Sequence, residues 1–344
     1  MILRNWQAPG DIVNMTAAVR DLHLAYPGEY LTDIQGTADW LWRGNRYITS
    51  LDEKAPDVAL LELDNHPLID QSNQGPFFFI HLFRDGLERT IGRPIPATDY
   101  KGHIEITPDE QLWRNPIYEH IGEERPYWLV NAGHKTDFTI KMWDHAKYQK
   151  VVNAFPDVLF VQTGVVVSDP NAQTRHIHAP LKGPNVLNML NRLNERDSVL
   201  SMYHAYGALT GISFPHILAY STPPNPWFKR KSRAAIIVAG GREPNHWQQG
   251  PNQIHIHTCG VLDCCDYGGC WKSRVVPIGD GDEKDEKELC EYPEKTKDGA
   301  DIARCMNMIT AEEVIMWMKR FMDSNPIFKE TKWKPLKTPE LNLP

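Results

Sequence analysis

The sequence lacks any run of about 18 consecutive apolar residues, which a membrane-spanning helix requires. Its apolar start, Met1–Leu3, runs directly into Arg4 and is too short for a secretory signal, so we expect a cytoplasmic protein. Positive charge is also scarce, because the net charge is −7 at pH 7, whereas nucleic-acid phosphates demand a basic face. We therefore expect neither a transmembrane segment nor nucleic acid as the main partner. No fixed-period repeat is present.

The length and the alternation of elements predict two α/β domains. At 344 residues the chain is long for one hydrophobic core, and 41% hydrophobic with 24% charged residues is typical of globular domains. Strand-like and helix-like segments alternate in both halves, which predicts two parallel sheets with a cleft between them. The predicted strands are Met1–Trp6, Tyr30–Ile34, Arg46–Thr49, Val58–Leu63, Ile104–Ile106, Tyr127–Asn131, Val158–Val167 and Ala234–Ala239. The predicted helices are Met15–Leu24, Phe77–Ile91, Leu187–Leu200 and one from about Asp144, with an interdomain linker over 113–126.

The stretch Tyr127–Trp143 has the pattern of a ligand-binding loop. Its apolar start, Tyr127–Asn131, predicts a buried strand that Ala132-Gly133 ends. Hydroxyl and cationic side chains, among them Thr139 and Lys141, follow before the next helix. Open α/β sheets bind ligands beyond the carboxyl ends of their strands, and helix N-termini favour phosphate. The alternative is an ordinary loop with solvated polar side chains.

Asp11 lies where the first predicted strand passes into a helix, directly after Gly10. A carboxylate at this position can act as a general base, or it can cap the helix by accepting hydrogen bonds from backbone N–H groups. The two roles differ in what a mutation removes. Loss of a cap lowers stability, whereas loss of a base lowers the reaction rate.

Four motifs, taken in order and spacing, resemble the ADP-heptose glycosyltransferase (heptosyltransferase) family. They are Gly10-Asp11, Gly133 with Thr139 and Lys141-Met142-Trp143, Gly211–Ala219, and Gly241-Arg242-Glu243-Pro244. The resemblance covers about residues 1–260 and the last helix. It implies an α/β protein of the GT-B fold class, in which two Rossmann-like domains face each other across a cleft.

The resemblance also implies roles for individual residues. Asp11 matches the catalytic carboxylate, and the donor-binding positions are Gly10, Gly133, Thr139, Lys141, Ser213, Pro215, His216, Gly241, Arg242 and Glu243. Two positions depart from the family pattern, since Ile212 and Ile217 stand where an Asp and a His are usual. His216 is displaced by one residue and either substitutes for that histidine or lines the loop.

The reaction implied by the resemblance is inverting transfer of a sugar, ADP-heptose being the first choice of donor, to a hydroxyl of a glycan, lipid-linked saccharide or protein. Such a transfer needs a base for the acceptor and cationic or N–H support for the departing diphosphate. No catalytic metal is expected, because the acidic pair Asp280-Gly281-Asp282 lies in a charged run typical of a solvated loop. A sugar-nucleotide 2-epimerase and a non-catalytic binding protein remain alternatives, and the oligomeric state is left open.

All six cysteines lie between Cys259 and Cys305, in a Gly-rich, charged segment with little apolar content. Such a segment cannot bury enough surface to fold alone, and four thiolates around a metal ion would order it. The predicted ligands are Cys265, Cys270, Cys290 and Cys305, with Cys264 as the substitute for Cys265 and Cys259 as a buried thiol. The metal is zinc or iron, in a structural role. The autotransporter heptosyltransferases resemble this chain in having a four-cysteine iron finger, with different spacing.

These observations predict five segments. They are an N-terminal Rossmann-like acceptor domain (1–120), a C-terminal Rossmann-like donor-nucleotide domain (127–258), a Cys-rich metal finger (259–308), a closing helix (309–324) and an extended tail (325–344). The closing helix begins with the capping-box pattern Thr310-Ala311-Glu312-Glu313. In GT-B proteins the last helix crosses back onto the first domain, and we expect the same here.

Overall fold

The computed structural model describes residues 1–63, 69–113, 115–169, 174–229 and 233–324. The predicted tail, 325–344, lies outside these residues. The strands are β1 (Ile2–Asn5), β2 (Asp33–Gly36), β3 (Leu60–Glu62), β4 (Tyr127–Asn131), β5 (His134–Lys135), β6 (Leu159–Gln162), β7 (His176–Ile177), β8 (Val186–Asn188), β9 (Gly207–Gly211), β10 (Ala234–Gly240), β11 (Gln253–His257), β12 (Pro293–Lys295) and β13 (Asp301–Ala303). The α-helices are α1 (Pro9–Ala25), α2 (Leu82–Ile91), α3 (Pro108–Trp113), α4 (Pro116–Ile121), α5 (His145–Asn153), α6 (Glu195–His204), α7 (Phe214–Ser221), α8 (Asn245–Gln248), α9 (Lys284–Lys287), α10 (Arg304–Asn307) and α11 (Ala311–Asp323).

The first half of the chain forms a small parallel sheet in the order β2-β1-β3. The central strand aligns Ile2 with Asp33 on one side and with Leu60 on the other. Helix α1 follows β1 and packs on α2, and its central residues from Ile12 to Leu22 are all buried. A short central strand followed by a largely buried helix therefore holds the first half together.

The second half forms a six-stranded parallel sheet in the order β11-β10-β9-β4-β6-β8. The chain proceeds outward from β4 through β6 to β8, and then returns to place β9 on the other side of β4. The strand order therefore reverses between β4 and β9. In open parallel sheets such a reversal opens a crevice beyond the carboxyl ends of the two strands, where ligands bind.

One hydrophobic cluster joins the two halves. It contains residues of both halves, including Leu3 and Ile12 from the first and Leu129 and Ala235 from the second. Helix α1 packs along α7, and a Cβ built on Gly10 would lie 2.9 Å from Ile217 Cδ1. Gly10 therefore allows the N-termini of these two helices to approach closely.

A buried ion pair and an amide contact also link distant parts of the chain. Arg196 on α6 contacts Glu110 on α3 at 2.7 Å, and both side chains are buried. The Asn73 side chain donates to the Gly269 carbonyl at 2.8 Å and accepts from the Gly269 N–H at 3.0 Å. The Cys-rich segment is thus bound to the first half of the molecule.

The closing helix forms as predicted but occupies a different place. Thr310 caps α11 by accepting from the Glu313 N–H at 3.2 Å, as the sequence pattern indicates. Its buried residues Val314, Met318 and Met322 pack with α5 and β10, which belong to the second half. The expected crossing to the first domain is therefore wrong for Ala311–Asp323.

Several predicted elements also change type or length. The predicted helix Leu187–Leu200 divides into β8 and α6, and the predicted linker contains α4, capped by Asn115. The predicted edge strand Ile104–Ile106 is not a strand, although its two isoleucines are buried. Short apolar runs carry no decisive periodicity, which explains why tertiary packing determines these segments. By contrast, β4 has the predicted limits, and α5 buries Tyr148, Val151 and Val152 as expected.

Candidate functional site

Asp11 lies in the first turn of α1, at the end of that helix nearest α7. Ala8 is the N-cap residue and Pro9 begins the helix, so Asp11 does not occupy the N-cap position itself. The choice between a base and a helix-start acceptor for Asp11 stays a prediction. Burial lowers the pKa of Lys141, and the Asp11 carboxylate is among the negative groups that oppose this shift. The first turn of α1 also packs at the start of α7, which follows Gly211 beside the Lys141 carbonyl.

The crevice between β4 and β9 is bordered by two of the predicted glycines. Gly133 follows β4, and a Cβ there would lie 2.1 Å from the His178 ring. Gly211 ends β9, and its Cβ position is 3.5 Å from the Lys141 carbonyl. Gly133 is thus needed for packing of His178, a function that its position in the sequence did not suggest, while Gly211 lies beside the cationic loop.

Lys141, Arg242 and Glu243 form a charged cluster, although 100 residues separate the first two in the sequence. Lys141 Nζ is 2.7 Å from Glu243 Oε1, and Arg242 NH1 contacts the same oxygen. Burial lowers the pKa of Lys141 despite the opposing effect of Glu243. Burial alone would raise the pKa of Glu243, but Lys141 and Arg242 together hold it below its ordinary value. The two cations therefore favour the charged form of the Glu243 carboxylate.

An aromatic ring that the sequence analysis missed lies among these cations. Phe138 lies between Thr136 and Lys141, and its ring centroid is 5.7 Å from Lys141 Nζ and 5.2 Å from Arg242 Cζ. Lys284 Nζ also lies 5.1 Å from the ring, although Lys284 was predicted to be in a solvated run. Cations over an aromatic face gain electrostatic stabilisation, so the ring holds positive groups together at a place suited to an anion.

Helix α7 directs its N-terminus toward the same region. Ser213 is its N-cap with an extended backbone, Pro215 lies in its first turn, and no side chain caps it. The first N–H groups of a helix lack intrahelical partners and favour an anion. The predicted contact between this turn and a diphosphate remains a prediction. Ile212 and Ile217, the two departures from the family pattern, are both buried in the core.

His216 points inward, away from solvent. It is fully buried, and its Nε2 lies 3.1 Å from Gln253 Oε1. Burial lowers the pKa of His216 to about 4, so the ring is neutral at pH 7. This geometry fits the alternative in which His216 lines the loop, since a side chain without exposure has no free face for a donor.

Thr139 and Gly241 connect the site to the Cys-rich segment. The Thr139 hydroxyl accepts from the Val275 N–H at 2.9 Å. Gly241 accepts from the Cys270 N–H at 3.1 Å, and a Cβ on Gly241 would lie 3.2 Å from Cys265 Sγ. Both loops that carry the charged cluster therefore rest on this segment.

The predicted metal ligands lie near one another but do not form a complete site. Burial, with neighbouring cysteines, raises the pKa of Cys305 to about 11 and that of Cys259 to about 12. Burial also raises the pKa of Cys270 and Cys290, and backbone N–H groups of Lys272 and Tyr292 oppose that shift in part. Within the described ranges, however, no three His, Cys, Asp or Glu side chains have the arrangement that holds a metal ion. The cysteine sulfurs are of the ligand type that binds zinc or iron, and the four-cysteine site remains a prediction.

The acidic pair in the charged run has a structural partner. Arg274 is buried and contacts Asp280 at 2.8 Å, Asp282 at 3.8 Å and Asp285 at 2.5 Å. Pairing with Arg274 lowers the pKa of Asp280. The carboxylates therefore neutralise an internal guanidinium, while Asp280 itself stays exposed, as expected of a solvated loop.

Comparisons with known proteins agree on the fold. Neither a scan against protein-family models nor a search of curated proteins gives a match. Among solved structures, a glycosyl transferase family 9 protein from Veillonella parvula is similar with a TM-score of 0.56 and 12% identity, covering 93% of this chain and 96% of that one. The iron-containing dodecameric glycosyltransferase TibC from enterotoxigenic E. coli gives a TM-score of 0.58 and 13% identity, covering 94% and 76%. TibC in complex with ADP-D-beta-D-heptose is similar with a TM-score of 0.55 and 11% identity.

These similarities establish the class of fold. The chain is a mixed α/β protein with a large parallel sheet, and its architecture is that of GT-B-like glycosyltransferases. Identities of this size carry no residue roles, which must come from the geometry. In the part of the chain that the structure describes, no helix has the length and apolar character needed to span a bilayer.

Proposed function

We propose that this protein is a glycosyltransferase that moves a sugar from a nucleotide diphosphate to a hydroxyl acceptor. The observation that carries the proposal is the packing of the first turn of α1, which contains Asp11, against the start of α7, beside the loops that carry Lys141 and Arg242. A carboxylate facing a cationic pocket is the pair of groups that inverting transfer requires. The fold shared with glycosyltransferases supports the same conclusion.

In this mechanism Asp11 accepts the proton of the acceptor hydroxyl. The oxygen then attacks the anomeric carbon while the bond from that carbon to the diphosphate oxygen breaks, so the configuration inverts. Because Asp11 lies within the first turn of α1, whose following residues are buried, its backbone is held in place before substrate binds. General-base catalysis of this kind contributes about 10² to 10⁴ in rate.

The departing diphosphate would be stabilised by the cationic cluster. Lys141, Arg242 and Lys284 surround Phe138, and Glu243 orients the first two through one shared carboxylate oxygen. An incoming diphosphate can replace part of that interaction without moving either loop. The N-terminus of α7, with Ser213 and Pro215, would supply N–H donors and a favourable dipole. No catalytic metal enters this account.

We assign ADP-heptose as the first candidate donor and a glycan, lipid-linked saccharide or protein as the acceptor. The support is the similarity to TibC, whose structure is known in complex with ADP-D-beta-D-heptose. The four thiols Cys265, Cys270, Cys290 and Cys305 are proposed to hold one structural zinc or iron ion, and TibC is described as iron-containing. When bound, that ion would neutralise the thiolates and order the segment on which Gly241 rests.

The test is product analysis with purified full-length protein and ADP-heptose, with and without a saccharide mixture as acceptor. We expect ADP release that increases when acceptor is added, together with a saccharide heavier by one heptose. An altered free sugar nucleotide formed without acceptor would identify an epimerase instead. Nucleotide binding without any product, in the presence of bound metal, would identify the non-catalytic alternative.

A further inference from the structure

A cavity at the edge of the first sheet has no role in the account above. Its volume is about 310 Å³, and it is lined by Trp6, Ile34, Gln35, Gly36, Thr37 and Asp39. Trp6 follows the end of β1 and Gly36 ends β2, so the cavity opens beyond the carboxyl ends of two parallel strands. This is the edge at which α1 begins, and the volume lies within the range of small-molecule sites.

Trp6 is unusually exposed for its size. Its exposed fraction is 66%, although large aromatic side chains are mostly buried. The backbone around it is nevertheless fixed, because the Thr37 hydroxyl donates to the Gln7 carbonyl at 2.6 Å and the Thr37 N–H donates to the Asn5 carbonyl at 3.2 Å. The indole therefore extends from a turn whose backbone is held by hydrogen bonds. This reduces the conformational entropy that the protein loses when a ligand binds.

Gly36 keeps the base of the cavity in place. A Cβ at this position would lie 1.8 Å from the Asn5 carbonyl oxygen, so a larger residue would separate β2 from the turn that carries Trp6. The Asn5 side chain also donates to the Leu63 carbonyl at 2.8 Å, inside the protein. Close backbone approach and buried hydrogen bonding thus set the relative position of the cavity walls.

The lining has the chemistry of a saccharide site. An indole offers a flat apolar face on which the C–H face of a sugar ring can stack, and Asp39 and Thr37 are exposed beside it to hydrogen-bond hydroxyl groups. The six lining residues include one carboxylate and no Lys or Arg, which disfavours phosphate or another anion. A neutral, polyhydroxylated ligand fits these groups best.

We propose that this cavity binds a saccharide unit of the acceptor, with Trp6 as the stacking surface and Asp39 as a hydrogen-bond acceptor. The identification of the saccharide as the acceptor rests on the proposed function, whereas the binding of a saccharide in this cavity does not. Gln7 and Ala8 alone separate Trp6 from the start of α1, and Asp11 lies in the first turn of that helix. A sugar stacked on Trp6 would therefore lie at the end of α1 that carries the proposed base.

The test uses full-length protein labelled with 5-fluorotryptophan and observed by fluorine NMR. The Trp6 and Trp227 resonances are assigned with Trp6→Phe and Trp227→Phe, and Trp227 is the matched control because it is 57% exposed in the other half of the chain. The probes are methyl β-D-glucoside, methyl α-D-mannoside and methyl β-D-galactoside. We expect at least one of them to shift the Trp6 resonance while the Trp227 resonance stays in place.

Saturation-transfer NMR then measures binding of the same glycoside to variants. Trp6→Ala should weaken binding about tenfold or more, the scale of a lost aromatic contact, and Asp39→Asn should weaken it less, whereas Trp227→Ala leaves it unchanged. The proposal is overturned if no glycoside shifts Trp6, if Trp6 and Trp227 shift alike, or if a Ser- and Thr-containing peptide shifts Trp6 and the glycosides do not. Because these readouts need no donor, glycoside binding without any sugar transfer would reject the proposed function and leave the cavity assignment standing.

Discussion

The two halves of the molecule position their candidate site residues in different ways. In the first half a single carboxylate, Asp11, lies on a helix that buries 12 of its 17 residues, so its position is set by a rigid element. In the second half Lys141 and Arg242 lie on two loops, held by one carboxylate and by the Cys-rich segment. The difference teaches that the proposed base is positioned by helix packing, whereas the two cations are positioned by the Glu243 carboxylate that they share.

The largest effect on the transfer rate should come from replacing the Asp11 carboxylate in the first half of the molecule. Asp11→Asn keeps the shape of the side chain and removes its basicity, so the transfer rate should fall by about 10² to 10⁴ while ADP binding is retained. Asp109→Asn is the matched control, because Asp109 is also an acidic residue in a helix's first turn. Steady-state kinetics and calorimetric ADP titration check this. Unchanged turnover in Asp11→Asn would remove the base assignment.

The second effect should come from the cationic loops. Lys141→Met removes a charge that would support the departing diphosphate, and turnover should fall by about 10² to 10³, the scale for loss of one electrostatic donor. ADP should also bind more weakly, in contrast to Asp11→Asn.

Two controls separate this effect from misfolding. Lys287→Ala is the first control, because it removes an exposed lysine that pairs with Glu283 in the acidic run and not with Glu243. The second control is the double variant Lys141→Met with Glu243→Gln. It removes the buried negative charge that Lys141→Met alone would leave without its amine partner. Equal ADP affinity in Lys141→Met and wild type, with both folded, would exclude Lys141 from the donor site.

The third prediction concerns the segment that supports the loops. Cys290→Ser should lose about one equivalent of metal and become sensitive to protease within 259–308, because the segment buries little apolar surface of its own. Cys259→Ser should retain the metal, since the Cys259 thiol is directed to the Glu243 carbonyl at 3.2 Å. Elemental analysis and limited proteolysis measure both. Wild-type protein without metal, or identical metal content in both variants, would reject the four-cysteine site.

The smallest effect concerns stability against pH. Burial lowers the pKa of His216 to about 4 from 6.5, so the unfolded state binds more protons between these values and stability falls as the pH drops through that window. Between pH 7 and pH 5 this group should cost about 2 kcal/mol of unfolding free energy. His216→Gln should lose correspondingly less than wild type in urea unfolding, with exposed His257→Gln as control. Equal pH dependence in wild type and His216→Gln would mean that His216 is not buried as a neutral ring.

The sequence was sufficient where a pattern is local. Continuous apolar runs predicted β4 and β10, and the spacing of Thr310 and Glu313 predicted the start of α11. It failed where packing between distant segments decides. No local pattern indicates that Val186–Asn188 pairs with β6 rather than continuing as a helix.

The candidate site shows the same limit. Lys141 and Arg242 were predicted one by one, but Phe138 and Lys284 were not, because their meeting depends on the fold of the charged run around buried Arg274. A phenylalanine within a polar loop was the available signal for Phe138. For Lys284 the sequence carried no signal, since alternating charges normally indicate a solvated surface.

Hydrogen–deuterium exchange of the full-length protein with and without ADP tests the central claim, that the nucleotide binds between the two sheets on the cationic loops. The account predicts slower exchange in 133–141, 211–215 and 240–243, with the same protection in Asp11→Asn and reduced protection in Lys141→Met. Saturating ADP that protects other segments and leaves these three unchanged would contradict it.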